Sequence, residues 1–276
     1  MLAYLQGKVV VVTPAGVVPE VLRGPECNRR RVDPLPPTID DLGVTAVLTL
    51  GRHQAVGDAL HAWGHTRGIP SMVLQDDVLT PLSASPPPDT TVLAWTAEDG
   101  EELRRGRDDL SVRVVGSQRL WQAAHGTPSV VTSLEETPVV LGQLAVPELP
   151  RRVTLAAARA AATGSGALYR PGLGETDRVS VAVHAGLSKR GVELQDAATS
   201  IEEQRRGIVT VLSADVFEAA VRGLPTWVHA PHGPSWILAQ GERYGMRPLG
   251  GDPTPAPVVA PDEPARLIAQ LLEGGS

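Results

Sequence analysis

The sequence predicts an α/β protein of two Rossmann-like domains with a cleft between them. Three observations predict it. Short apolar, β-branched runs alternate with amphipathic stretches along most of the 276 residues, the pattern of parallel strands joined by crossover helices. Glycine or a small polar turn follows several of these runs, as at Gly116-Ser117, Gly142-Gln143 and Ser213-Ala214-Asp215. The alternation halts over a polar stretch, 126–137, and then restarts, which divides the chain into domains at 1–134 and 135–276. A hydrophobic content of 42% is enough to fill two cores of that size.

Charge and cysteine usage narrow the function classes. Twenty-five basic against 31 acidic residues leave a net charge of -6, so neither nucleic acid nor an anionic membrane surface is an expected partner. Any anionic ligand has to be met by local donors. One cysteine, Cys27, excludes a disulfide framework and a multi-thiolate metal site and fits a reducing cytoplasm. The N-terminal MLAYLQGKVVVV is interrupted by Lys8, followed by Pro14, and too short to span a bilayer. A soluble cytoplasmic protein without a transmembrane segment is the expectation.

In order, Lys8–Thr13 reads as a buried parallel strand ending at Pro14-Ala15-Gly16, because four valines are bounded by proline and glycine. The segment 23–37, with Arg29-Arg30-Arg31, reads as a loop. Ala46–Leu50 is a strand, and Gly51–Thr66 a helix with Ala55, Ala59, Leu60 and Trp63 inward. His61 and His65 share a face of that helix, with His53 at its start, and read as surface or partly packed residues. Pro70–Gln75 is a strand ending in Asp76-Asp77. Open α/β sheets place ligand chemistry at such carboxyl ends, and burial with like-charge repulsion would raise one of these pKa values toward neutrality. An acidic turn capping the next segment is the alternative. Val92–Trp95 (strand), Ala97–Arg105 (helix) and Val112–Val115 (strand) then complete a doubly wound first half.

After the helix Leu120–His125 come Pro138–Leu141 (strand), Val153–Thr163 (helix), Ala167–Arg170 (strand) and Arg178–Gly191 (helix, with Val179, Ala182, Val183 and Leu187 inward). Val192–Leu194 reads as a strand and Thr199–Arg205 as a helix opened by the capping spacing of Ser200 and Glu203. Ile208–Leu212 is a strand, and the Ser213-Ala214-Asp215 turn leads into a helix through Glu218 to Arg222. Either Ser213 or Asp215 suits the N-cap. Gly223 stops that helix, Pro225 follows, and Thr226–Val228 is the next strand. A proline-rich loop, 252–261, precedes a closing helix, Pro264–Leu272. This β-turn-α-turn-β unit is a phosphate cradle in outline and an ordinary crossover otherwise.

Several chemistries lack their signatures. No Asp-Xaa-Asp stands at a strand end, so no metal is expected. Gly164-Ser165-Gly166 precedes a strand instead of following one, which does not point to NAD or FAD. The nucleophile elbow Gly-Xaa-Ser-Xaa-Gly is missing.

The second half, from PVVLGQL at 138–144 through YRPGLGETD at 169–177 to LSADVFEAAVRGLPTWV at 212–228 and ERYGM at 242–246, resembles the donor domain of GT-B glycosyltransferases. The relatives it suggests are bacterial sialyltransferases and polysialyltransferases and, more distantly, CDP-glycerol glycerophosphotransferases. Those families carry an acidic pair and glycine after a first-domain strand, His-Pro after a second-domain strand, and a Ser/Thr turn before an EA-containing helix. Asp76-Asp77, Ser213 and Glu218-Ala219 match; Val78, Gly172-Leu173 and Ala214 depart from the pattern. The resemblance implies an acceptor-side first domain and a nucleotide-donor second domain. It implies a metal-independent, inverting transfer from a CMP-, CDP- or UDP-linked sugar to an acceptor hydroxyl, with the nucleotide-sugar as co-substrate and no other cofactor. Asp77 or Asp76 would be the base. Ser213, the N–H groups of the helix starting near Val216 and the cation Arg170 would meet the phosphate, with Asp215 in the same donor-binding turn. Glu218 would meet the ribose, and Gly116 would admit the ligand to the backbone; a surface salt bridge to Glu175 or Asp177 is the alternative for Arg170. His232, with His229, would stand in for the missing histidine. The departures also imply alternatives: an eroded nucleotide-binding or regulatory homologue, or a sugar-nucleotide 2-epimerase-like enzyme.

Overall fold

The computed structural model describes residues 2–7, 9–12, 39–50, 55–126 and 135–274. The readings at 13–38, which hold Pro14-Ala15-Gly16, Cys27 and the three arginines, and those at His53 and 127–134, lie outside the described residues. Among the described residues are eight strands and eight α-helices, none of the helices long and apolar enough to cross a membrane. They form two compact units: Met1–Asp76, Ala84–Gln118 and Ala260–Ser276 make one, Asp77–Ser83 and Arg119–Val259 the other.

The first unit holds a parallel sheet of β1 (Val47–Thr49), β2 (Ser71–Leu74), β3 (Thr90–Ala94) and β4 (Ser111–Val114) in that order. Helix α1 (Ala55–His65) links β1 to β2, and α2 (Ala97–Arg104) links β3 to β4. The described strands of this unit keep sequence order, so the order reversal of a doubly wound sheet is not seen among the described residues here. Thr96 caps α2 by accepting a hydrogen bond from the Asp99 N–H at 3.1 Å. The core is Met72, Leu93 and Val115 with Ile268 of the closing helix, beside a smaller cluster of Ile39, Val47 and Trp63.

Two expectations are corrected here. Residues 9–12 form no strand, and Val9, Val10 and Val11 each keep 40% or more of their surface open; β-branching favours strands only where a neighbouring strand is present to pair. Helix α1 buries Gly57, His61, Trp63 and Gly64, while Ala55 and Ala59 are exposed. His61 is inside because its Nε2 meets Thr49 Oγ1 at 2.6 Å, so a polar residue occupies the inward position that an apolar count assigns to alanine.

The second unit carries β5 (Glu135–Leu141), β6 (Leu168–Arg170), β7 (Arg206–Thr210) and β8 (Thr226–Val228), all parallel, in the order β6-β5-β7-β8. Helix α3 (Gln118–His125) enters this unit from its second residue; α4 (Arg151–Ser165), α5 (Arg178–Ser188), α6 (Asp215–Val221) and α7 (Ser235–Arg243) belong to it, and α8 (Pro264–Glu273) is the closing helix of the first unit. Here the strand order reverses: β6 lies on one side of β5 and β7 on the other. Pro138, inside central β5, coincides with the break in register between Glu135 and Val139, since proline gives no N–H to a ladder. Gly223, at φ 82°, ends α6 as its position predicts.

The structure departs from expectation at four elements of this unit. Helix α5 turns Ser180 and Leu187 inward and leaves Val179 56% exposed. Ser180 is buried because its hydroxyl donates to the N-cap Asp177 at 2.6 Å. Val192–Leu194 makes only a single bridge, Leu194 to Tyr169. Ser200 and Glu203 exchange the capping-box hydrogen bonds, at 2.9 and 3.3 Å, but β7 begins at Arg206 and no helix follows. Helix α7 was not expected; it buries only Ile237 and Gly241, too thin a stripe to read as a periodic face.

Candidate functional site

An order reversal opens a crevice at the carboxyl ends of the two strands that flank it, here β5 and β7. Strand β7 stops at Thr210, two residues before the expected end. The cause is Gln143, just past β5 and 7% exposed. Its Oε1 accepts from the Val211 N–H at 2.7 Å and the Leu212 N–H at 3.4 Å, and its Nε2 donates to the Leu212 carbonyl at 2.7 Å. A side-chain amide thus replaces the ladder and turns the chain into Ser213. Replacing Gln143 by leucine is expected to cost about 2–4 kcal/mol, because buried groups at Val211 and Leu212 lose their partners; urea unfolding checks it.

Beyond Leu212, Ser213 Oγ accepts from the Asp215 N–H at 3.1 Å, while the residue at the helix cap is Ala214. The Ala214 N–H donates to Asp77 Oδ1 at 2.8 Å, across 137 positions of sequence. Asp77 begins the segment 77–83, which is part of this unit: Val78 and Leu79 are each 6% exposed, the Leu79 N–H donates to the Tyr244 hydroxyl at 2.9 Å, and the Thr80 hydroxyl donates to Glu148 at 2.9 Å.

Crowding by protein pushes the Asp77 carboxyl up to about 6, with the Asp215 charge adding to it; the N–H groups of Ala214 and Val78 and the Arg119 guanidinium act against the rise. Asp77 keeps part of its surface open to solvent, and the shift reflects the surroundings of the carboxylate itself. The like charge is therefore Asp215, not the neighbouring Asp76.

Arg119 joins the acidic side chains of the turn, donating to Asp215 at 2.6 Å and to Glu218 at 2.8 Å. Burial alone would lower its guanidinium; the two carboxylates reverse that and push it up. Glu218 also faces Arg222 at 3.5 Å. Arg170, at the end of β6, donates to the Thr199 carbonyl at 2.5 Å. Burial lowers its pKa, while Asp215 and Glu218 act electrostatically to raise it.

Beside the end of β5 lies a buried acid. The Glu175 side chain is fully buried and receives the Leu144 N–H at 2.7 Å, the Tyr169 hydroxyl at 2.9 Å and His184 Nε2 at 2.7 Å. Burial first, and then the Glu175 charge, push the Tyr169 hydroxyl up. A Cβ on Gly142 would stand 2.6 Å from Glu175 Oε1 and 2.7 Å from the Gly172 nitrogen, so only glycine fits between β5 and this acid.

Asp77, Ser213, Asp215, Glu218 and Arg170 therefore gather at one end of the second sheet. His232 is exposed, at φ 59°, in the loop after β8. His229, in the same loop, has its Nε2 buried without a hydrogen-bond partner among the described residues, and burial lowers its pKa. Asp76 and Gly116 belong to the first unit. Asp76 is exposed, and Gly116, at φ 82°, is approached by Ala260 Cβ, which would lie 3.1 Å from a Cβ placed there. Sequence reasoning missed Gln143, Arg119 and His184, and it placed Glu175 only as a surface partner of Arg170, whereas Arg170 donates to Thr199 and Glu175 is buried against His184. Gln143 carried a signal in its place after an apolar strand and a glycine; Arg119 carried none. Among the described residues no group of three histidine, cysteine or acidic side chains could hold a metal ion.

The fold and this site define an α/β protein with two parallel four-stranded sheets, the second reversed in order. The chain matches no family model and no curated protein.

Proposed function

We propose that the chain is a metal-independent GT-B glycosyltransferase, moving a sugar from a CMP-, CDP- or UDP-linked donor to an acceptor hydroxyl with inversion. The observation that carries this reading is the meeting of Asp77 with the Ser213-Ala214-Asp215 turn at the strand-order reversal, where open α/β sheets bind nucleotides. The resemblance assigns those two stretches to base and donor wall, and they lie together.

In the proposed reaction the acceptor oxygen attacks the anomeric carbon from the face opposite the leaving group. The new carbon–oxygen bond forms as the bond to the donor phosphate breaks. Asp77 takes the acceptor proton, a task that a carboxyl with a pKa of about 6 suits near neutral pH. The phosphate departs as an anion and needs no proton; Arg170 and the Ser213 hydroxyl are the groups that meet it. Glu218, although paired with Arg119 and Arg222, keeps lone pairs for the ribose hydroxyls.

Thermal unfolding with CMP, CDP, UDP and GDP tests the reading. A cytidine or uridine nucleotide is expected to raise Tm by about 5 °C or more at a hundredfold excess over Kd, and NMR should then show consumption of the matching nucleotide-sugar. No rise with any of the four would sink the proposal. Binding without consumption would favour the second reading, an eroded nucleotide-binding protein. That reading draws on Gly172-Leu173, where the resembled families have His-Pro, and on an Ala214 N–H already engaged by Asp77.

A further inference from the structure

The first unit contains a cavity of about 530 Å³ at the amino ends of β2 and β3. One face of α1, carrying Asp58, His61, Ala62 and His65 at helical spacing, meets residues 68–71 and 87–89 there. The site at the strand-order reversal belongs to the second unit and includes none of these residues. The volume falls in the range of small-molecule sites, about 300–1,000 Å³.

The wall offers a ligand hydrocarbon and little polarity. Pro70, Pro87 and Pro88 carry no N–H. The Ile69 N–H is taken up by the Gly64 carbonyl and the Pro70 carbonyl by the Val47 N–H, each at 2.9 Å. The charged groups need no ionic ligand: Asp89 faces His65 Nδ1 at 3.6 Å and lies in the field of Arg107, Asp58 has a partner of its own, and all three lining side chains are exposed to solvent. His61 Nε2 is engaged with Thr49 Oγ1 at 2.6 Å. The Ser71 hydroxyl is in a different position. Ser71 is 8% exposed, and its Oγ donates to the Ile69 carbonyl at 3.5 Å, long for a hydrogen bond, with no other partner among the described residues. A hydroxyl has one proton and two lone pairs, so this buried group keeps most of its bonding capacity. Gly64 leaves room beside it, since a Cβ there would stand 3.1 Å from Ser71 Oγ.

We propose that this cavity binds a neutral, hydroxylated ring compound, its hydrocarbon against Ile69 and the three prolines and its hydroxyl hydrogen-bonded to Ser71. Apolar burial supplies the affinity and the single polar contact fixes the orientation. A rigid ring system covers the rigid proline faces without losing rotamer freedom on binding. The site is independent of the transferase reading.

Titration of the full chain with 2-naphthol, followed by amide NMR, tests the proposal. Naphthalene, without the hydroxyl, and 2-naphthalenesulfonate, with a charge in its place, are the controls. Saturable binding of 2-naphthol is expected, about tenfold tighter than that of naphthalene, with amide shifts at Ala62, Ile69 and Ser71. The sulfonate, whose charge would have to be desolvated, should not bind. Ser71→Ala is expected to bring 2-naphthol down to the affinity of naphthalene. Ala62→Trp, which fills the space from an exposed position, is expected to abolish binding of both. Absence of saturable 2-naphthol binding, equal binding of naphthalene or the sulfonate, amide shifts confined to other residues, or unchanged affinity in either variant would overturn the proposal.

Discussion

Asp77→Asn is expected to lower turnover by about 10²–10⁴-fold, the usual contribution of a positioned base, while nucleotide affinity stays near wild type. Asparagine retains an oxygen that can accept the Ala214 N–H, so the turn keeps its partner and only proton acceptance is lost. The wild-type rate should also fall as pH drops through about 6, where Asp77 protonates. The same residue gives a stability effect of opposite sense. Its folded pKa is raised above the ordinary carboxylate value, so its favourable contribution is complete below about pH 4 and is lost as pH rises to about 6. At pH 7 the asparagine variant should therefore unfold no lower than wild type, and at pH 4 it should lose that advantage. Unchanged turnover in Asp77→Asn would remove this residue as the base.

Glu175→Ala is expected to destabilise the second unit by about 3–5 kcal/mol, the range for removing one partner from a buried charged network. Three donors, Leu144 N–H, Tyr169 hydroxyl and His184 Nε2, lose their fully buried acceptor. Glu175→Gln keeps one acceptor oxygen and should lose less. Urea unfolding distinguishes the two; a loss below about 1 kcal/mol for alanine would mean that the three donors find other partners.

The eight described strands were legible because their residues obey a local rule, although the same rule also marked 8–13, where 9–12 form no strand, and 192–194, which makes a single bridge. Runs such as Ile208-Val209-Thr210 and Val139-Val140-Leu141 are rich in β-branched residues and buried on both faces, as parallel strands must be. The helix faces were less so. In α1 and α5 the inward positions include His61 and Ser180, polar residues made acceptable by Thr49 and Asp177, and no apolar periodicity marks a polar residue with a buried partner. At the site, Ser213, Asp215 and Glu218 were readable from one contiguous turn. Their companions were not: Arg119 is 96 residues from Asp215 and Gln143 is 68 from Val211. Such contacts depend on strand order, which single-sequence patterns do not encode. The membership of 77–83 in the second unit is of the same kind.

The closing helix α8 gives the chain an order of assembly. Ile268 completes a core otherwise made of Met72, Leu93 and Val115, and the Gln118 amide accepts the Ala265 N–H at 2.8 Å near the start of that helix. During synthesis every residue of the second unit, to Val259, leaves the ribosome before α8 does. The unit begun first therefore finishes last, and nascent first-unit strands must wait with part of their apolar face uncovered, the interval in which a chaperone has most to hold.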